Sequence, residues 1–310
     1  MTEQKVRIQR RPVHGVLLLD KPLGLSSNDA LQKAKWLLRA EKAGHTGTLD
    51  PLATGLLPLC FGAATKFSQV SLEADKAYEA TLKLGVTTTT GDAEGEVVKT
   101  REVGVLDASK LMAVLEQFTG EIEQLPPMHS ALKHEGKALY EYARQGIEIE
   151  REKRKVTIHE IRVLGGEGDE LKIAVRCTKG TYIRTLAEDI GEQLGCGAHL
   201  SALRRTASGP VKVDNAVSLD RLAEMNEVER ESLLHPPDLL LADWPAVQLA
   251  GEDALRFLNG LKRRVQSGDA PQVRVYEDKS LLGSASIKAG ELIPSRLLSQ
   301  QEVEFLKATP

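Results

Sequence analysis

The stretch from Val156 to Leu194 constrains the fold most. Leu171, Ile173, Val175 and Cys177 alternate with their neighbours at the two-residue period of a strand buried on one face. Gly165-Gly166-Glu167-Gly168-Asp169 ahead of them is a turn, so Val156 to Cys177 reads as two strands folded back on each other. The period then changes. Ile183, Leu186, Ile190 and Leu194 recur at helical spacing and mark one inward face. A strand pair feeding a helix calls for a sheet with that helix packed on it. The same mixture continues elsewhere. Gly15 to Leu19 reads as a short strand running into a Pro-Leu-Gly turn, and Ser26 or Ser27 can cap a helix with Leu31, Ala34, Leu37 and Leu38 on one face. Tyr78 to Leu84 alternates as a strand, and Leu111, Val114, Leu115 and Phe118 mark a further amphipathic helix. Strict βαβ alternation is missing, so the expected class is α+β, with a mixed, mainly antiparallel central sheet and flanking helices.

A chain of 310 residues points to about two domains. His235-Pro236-Pro237, with Trp244-Pro245 after it, reads as a linker. Beyond it, Val273 to Tyr276 and Leu282 to Ile287 form short strands, with turns at Glu277-Asp278 and Ala289-Gly290. The expected division is a basic arm over 1–13, a main body over 14–245 and a small β-rich module over 246–310, too small to be stable undocked. No apolar run reaches the ~18 residues of a membrane span, and Met1 to Arg11 lacks the apolar stretch of a signal peptide. A cytoplasmic protein is the expectation. Cys60, Cys177 and Cys196 cannot all pair, and Cys196-x-x-His199 reads as small buried groups, not a metal site.

The net charge of −3 conceals an asymmetry. Asp220 to Asp253 holds nine acidic residues against two basic ones, a segment charge of −7, which leaves +4 for the remainder. Basic clusters stand out there: Lys5, Arg7, Arg10 and Arg11; Arg151, Lys153, Arg154 and Lys155; Arg204-Arg205; Lys262-Arg263-Arg264. Any one of them suits a solvated face, but four together point towards nucleic acid.

Common nucleotide and hydrolase motifs are absent. There is no G-x-x-x-x-G-K-[ST], no G-x-G-x-x-G after a strand, no H-E-x-x-H and no G-x-S-x-G. The unusual stretch is Gly44-His45-Thr46-Gly47-Thr48-Leu49-Asp50-Pro51-Leu52-Ala53-Thr54-Gly55, where glycines allow close backbone approach to a ligand. Locally, Asp50-Pro51 also reads as a helix start, with Asp as N-cap and Pro at the first helical position. A second candidate is Lys179-Gly180-Thr181-Tyr182-Ile183-Arg184: Ile183 belongs to the buried stripe, so Tyr182 and Arg184 point elsewhere, Arg184 by local reading to the surface.

Together these segments resemble one family. Gly15-Val16-Leu17-Leu18-Leu19-Asp20-Lys21-Pro22-x-Gly24-x-Ser26-Ser27, the Gly44–Gly55 stretch and Lys179–Arg184 look like the signature blocks of TruB-type tRNA pseudouridine synthases. Further matches lie at Ser130–Lys133, Lys137–Gly146 and Gly195–His199, so the resemblance spans most of residues 14 to 210, while the last 60 residues resemble a PUA-like RNA-binding barrel only loosely. One departure is His129, where members often carry tyrosine. The resemblance implies isomerisation of uridine to pseudouridine at position 55 in the tRNA T-loop, on a flipped base, with no cofactor and no metal. It implies Asp50 as nucleophile, paired with Arg184, whose guanidinium is suited to bind it bidentately and lower its pKa by about 1–3 units. Tyr78 would lie against the base and accept its proton, Tyr182 and Leu203 would line the pocket, and His45 would stack where flipped bases leave space. Lys21 and Pro22 read as scaffolding. The implied partner is tRNA, without membrane or guide RNA, and nothing demands more than a monomer. A tRNA-folding chaperone that opens the elbow without chemistry is the competing class, and an Asp hydrolase lacks a second nearby carboxylate.

Overall fold

The computed structural model describes residues 9–308, so Lys5 and Arg7 of the expected basic arm lie outside the described residues. The protein is α+β, as the mixed periodicity requires. Its main sheet runs, in spatial order, through Val217–Ser218, Gly15–Lys21, Ala53–Phe61, Ala198–Ser208, Lys76–Leu84, Glu170–Cys177, Arg154–Gly165 and Gly120–Gln124. Ala43–His45 adds to Ala53–Phe61, and Val211–Lys212 to Ala198–Ser208. Pairing is antiparallel except where Ala198–Ser208 meets Ala53–Phe61 and where Gly15–Lys21 meets Val217–Ser218. The late strand Ala198–Ser208 therefore forms the seam between an N-terminal half-sheet and a second half-sheet built from later residues.

Each expected element has its physical cause in place. The hairpin Arg154–Gly165/Glu170–Cys177 buries Leu171, Ile173, Val175 and Cys177 against the Ile183–Leu194 helix, whose Ile183, Leu186, Ile190 and Leu194 share that core. Each of the leucine, isoleucine and valine side chains among them contributes about 1.5–3 kcal/mol. Ser26 caps the Ser27–Leu37 helix by accepting the Asp29 N–H at 3.1 Å. The Gly15–Lys21 strand is apolar from Gly15 to Leu19 because both faces are covered there: Leu17 and Leu19 meet the Ser27–Leu37 core, Val16 and Leu18 the opposite one.

Two local readings are corrected. No helix starts at Asp50-Pro51; the chain makes a turn closed by the Ala53 N–H on the Asp50 carbonyl at 3.0 Å, then enters the Ala53–Phe61 strand. Leu56 to Phe61 are all buried, and a central strand hides both faces where a helix would hide one stripe. Nor is 235–245 a slack linker. His235 exchanges backbone hydrogen bonds with Val16 at 2.8 and 2.9 Å, Pro237–Leu241 forms a short 3-10 helix, and Leu240 and Leu241 are buried. They belong to one core that joins Val16, Leu56 and Phe67 to Phe257, Val273 and Leu282 of the C-terminal five-stranded sheet. Lys66 reinforces the junction, donating to the Leu297 carbonyl at 2.9 Å and pairing with Glu302 at 2.5 Å.

Gly55 marks the tightest point of the seam. Its φ is +96°, and an added Cβ would stand 2.4 Å from the Arg205 carbonyl oxygen. Gly55→Ala is expected to cost at least about 2 kcal/mol, seen as a lower urea midpoint at unchanged m-value. A wild-type midpoint would refute the close approach.

Candidate active site

The turn carrying Asp50 is pinned from three sides. Ser27 Oγ accepts the Leu49 N–H at 2.7 Å and donates to the Leu49 carbonyl at 3.0 Å. The Gly24 N–H donates to the Pro51 carbonyl at 2.8 Å. Lys21, wholly buried, donates to the carbonyls of Pro22 at 3.0 Å, Leu25 at 2.6 Å and Pro51 at 3.5 Å. Burial lowers its pKa to about 8, with Asp50 acting the other way. Lys21, Gly24 and Ser27 of this sequence block thus hold the Asp50 turn in place.

Asp50 keeps 40% of its side chain exposed and faces Arg184, which is 6% exposed, with Nη2 at 3.1 Å from Oδ2. Arg184 is thus buried, against its local reading as a surface residue. It does not grip Asp50 bidentately either. Its Nη1 lies 3.5 Å from Asp92, 3% exposed, and donates to the Thr90 carbonyl at 3.2 Å, while Nη2 also donates to the His129 carbonyl at 2.6 Å. One guanidinium thus bridges two carboxylates, with two carbonyls completing its contacts. The backbone of His129 makes that contact, so a tyrosine there would serve equally. The expected fall in the Asp50 pKa is also corrected: desolvation raises it above the ordinary carboxylate value, Arg184 opposes the rise and Asp92 adds to it.

Asp50, Tyr78, Tyr182, Arg184 and Leu203 line one cavity of about 250 Å³ at the sheet seam. They converge from separate elements. Asp50 precedes one half-sheet, Tyr78 lies on the other, Leu203 is on the seam strand between them, and Tyr182 and Arg184 open the helix behind. Tyr78 sits directly across the ladder from Arg205, which hydrogen-bonds its phenol oxygen. Burial pushes the phenol pKa up and Arg205 opposes that shift, so the resting side chain is neutral. His45 does not line the cavity. It ends the Ala43–His45 strand two residues before Gly47, which does, and burial lowers its pKa. A larger cavity of about 440 Å³ lies between Pro12–His14 and the C-terminal helix, and none of these residues reaches it.

The sequence matches a known family along most of its length. A family profile described as TruB family pseudouridylate synthase (N terminal domain) matches residues 35–183. Profiles for the tRNA pseudouridylate synthase B C-terminal domain and for Pseudouridine synthase II TruB, C-terminal, match 184–242 and 245–298. The chain belongs to the TruB family. It is similar to the tRNA pseudouridine synthase B of Verminephrobacter eiseniae, 58% identical over 98% of this chain and 95% of that one. Another such protein, from Ralstonia nicotianae, is 56% identical over 96% and 99% of the two chains. A solved structure of an H/ACA RNP bound to a substrate RNA containing 2'-deoxyuridine superposes with a TM-score of 0.71 at 26% identity, over 95% of this chain and 87% of that one. The TruB-family chain is a pseudouridine synthase with a C-terminal β module.

In this TruB-family enzyme several groups at the site gave no sequence signal. Asp92 lies in a loop without periodicity, fixed by the Thr90 hydroxyl at 2.5 Å and the Glu94 N–H at 3.1 Å. Buried Gln124 clamps the Tyr182 backbone, accepting its N–H at 3.0 Å and donating to its carbonyl at 3.2 Å. The basic clusters read differently once folded. Arg205 is 1% exposed and donates to the Leu56 and Gly47 carbonyls, and Arg204 forms a two-bond pair with Asp20. Arg11 pairs with Glu227 and Glu231, Lys262 with Glu291, and Arg263 with Asp253. The acidic segment thus neutralises nearby arginines of the folded chain. Among the described residues, no group of three His, Cys, Asp or Glu is placed to hold a metal ion, and no helix is long and apolar enough to cross a membrane.

Glu188, one turn beyond Arg184, stands against Gly91 of the Asp92 loop. Burial, with Asp189 adding repulsion, raises its pKa to about 7 from 4.5. A raised carboxyl pKa favours folding below the unfolded value, and that stability is lost as pH rises through about 7. Glu188→Gln is therefore expected to stabilise the TruB-family fold by about 1–3 kcal/mol at pH 8 and hardly at all at pH 4.5. Urea melts at the two pH values check it; an equal effect at both would overturn it.

Proposed function

We propose that the enzyme converts uridine to pseudouridine at position 55 in the T-loop of tRNA, with Asp50 as nucleophile and no cofactor. The observation that carries this is Asp50, the single carboxylate lining the cavity among the described residues, set against Arg184 between Tyr78 and Tyr182. The uridine flips out of its loop to enter so narrow a site. Tyr78 and Tyr182 provide aromatic surface, and stacking is worth ~1–3 kcal/mol per base. Asp50 attacks C1' through a carboxylate oxygen as the bond from C1' to N1 breaks and the electron pair leaves with the uracil. The ring turns, C5 bonds to C1' as the Asp50–C1' bond breaks and releases the carboxylate, and C5 then loses its proton. N1 gains a proton, so atoms balance without a redox partner. Tyr78 is a platform while neutral; to take the C5 proton it must first ionise, which the guanidinium on its oxygen favours. Desolvation pushes the Asp50 pKa up, and the Arg184 guanidinium opposes that shift and so favours the ionised nucleophile. Asp92 is a second carboxylate nearby, but it lies behind Arg184 and outside the cavity, where it cannot act as the acid of a hydrolase.

In this reading residues 14–245 form the catalytic unit and 246–310 a PUA-like RNA-binding module. The protein recognises tRNA unaided, without guide RNA. His45 occupies the space the flipped bases leave, using its ring face. Tritium release from a tRNA transcript carrying [5-³H]uridine tests the assignment, because only loss of the C5 hydrogen frees the label. The expected result is release from the native transcript and none from one with cytidine at position 55. Binding without release from either would favour the chaperone reading.

A further inference from the structure

The roles above leave Lys179 unused, although it opens the Lys179–Arg184 segment. Its ammonium pairs with Glu73, a residue 106 positions away in sequence, and the two side chains are 54% and 48% exposed. Lys179 lines the cavity on one side of its mouth. Glu73 ends the Ser68–Glu73 helix on the other side, next to Leu72, which also lines the cavity.

Both rims are held by backbone contacts that do not involve the pair. On one side the Thr178 hydroxyl accepts the Thr157 N–H at 2.9 Å, and the Thr181 hydroxyl donates to the Thr178 carbonyl at 2.9 Å. Gly180 takes φ +79° in that turn, which a side chain would resist. On the other side the buried Lys76 ammonium donates to the carbonyls of Ser71 at 3.0 Å, Leu72 at 2.8 Å and Ala74 at 2.5 Å, tying down the helix end. Asp75, two residues on from Glu73, lies 2.9 Å from His159. An exposed pair between fixed rims contributes little to stability and exchanges partners readily. A flipped nucleotide brings a phosphodiester on each side of it to this mouth, and that anion meets a repelling carboxylate beside a matching cation.

We propose that Lys179 and Glu73 form a latch across the cavity mouth which RNA opens, Lys179 leaving Glu73 for a backbone phosphate next to the flipped uridine. The inference rests on the reading of the cavity as an RNA site. Glu73 then acts as an internal competitor that lowers affinity for polyanions lacking a base to insert.

Equilibrium binding of unmodified tRNA transcript, measured across a salt series, tests it on wild type, Lys179→Gln, Glu73→Gln and the double variant. Lys179→Gln is expected to weaken binding about three- to tenfold at low salt and to lower the slope of log K against log salt by about 0.7–0.9, one phosphate contact. Glu73→Gln is expected to tighten binding about two- to fivefold, and the double variant to match Lys179→Gln. A merely structural pair would move both single variants in the same direction and leave the slope alone; either result overturns the latch. Wild-type protein that fails to bind the transcript overturns the RNA reading and the latch together. Wild-type binding with an unchanged slope in Lys179→Gln overturns the latch alone.

Discussion

Asp50→Asn should abolish pseudouridine formation, lowering the rate by about 10⁴-fold or more, while tRNA binding stays within a few-fold of wild type. Asp50 is the only carboxylate lining the cavity among the described residues, so no neighbour can replace its oxygen. The amide keeps the shape of the side chain and can still accept from Arg184 at the 3.1 Å position, but it is no nucleophile. Tritium release measured beside filter binding separates the two effects. Release within tenfold of wild type would move the nucleophile elsewhere. Lost binding would show that the charge of Asp50 organises the pocket for RNA as well as for chemistry. Refolding of misfolded tRNA by the same variant addresses the chaperone reading, which predicts that activity survives.

Arg184→Met should lose activity and stability together, for different reasons. Removing the guanidinium leaves Asp92 buried at 3% exposure without its cation, and breaking a buried pair costs about 3–5 kcal/mol. It also removes the positive charge that opposes the upward shift of the Asp50 pKa. Combining Arg184→Met with Asp92→Asn separates the effects: stability should recover by more than half, read from urea midpoints, while tritium release stays lost. If activity returned with stability, Arg184 would be a structural residue. Arg184→Lys is expected to be nearly as inactive, because one ammonium cannot reach both carboxylates and the carbonyls of Thr90 and His129.

Periodic elements were legible in the sequence because burial alone dictates them. Leu171 to Cys177 and Ile183 to Leu194 declare one inward face each, and both lie where that pattern puts them. Asp50-Pro51 misled because cap chemistry is local, whereas the fate of the following residues was set by strands at 15–21 and 198–208 that cover both their edges. Arg204-Arg205 looked like one basic patch, yet alternation along a strand sends adjacent side chains to opposite faces. One meets Asp20 and the other enters the interior. His235 to Pro245 carried linker composition, but Leu239 to Leu241 between the prolines had apolar surface to bury. At the site, Asp50, Tyr78, Tyr182, Arg184 and Leu203 came from a resemblance, and the fold brings all five to one cavity. Asp92 and Gln124 were invisible because nothing in their own neighbourhoods shows that they face Arg184 and Tyr182.

The position of the Ala198–Ser208 strand has a consequence for how the enzyme is made. As the chain leaves the ribosome, residues up to about 190 can build two half-sheets, but each keeps one open edge of unpaired backbone groups. Until residues 198–208 slot between them, no strand joins the two half-sheets and the cavity lacks Leu203 and Arg205, so the nascent protein is both inactive and adhesive at those edges. Closing the gap ends both conditions in one step. Synthesis halted just short of that strand would leave a sticky, catalytically silent fragment, and the interval before it emerges is the period in which a growing chain most needs shielding from its neighbours.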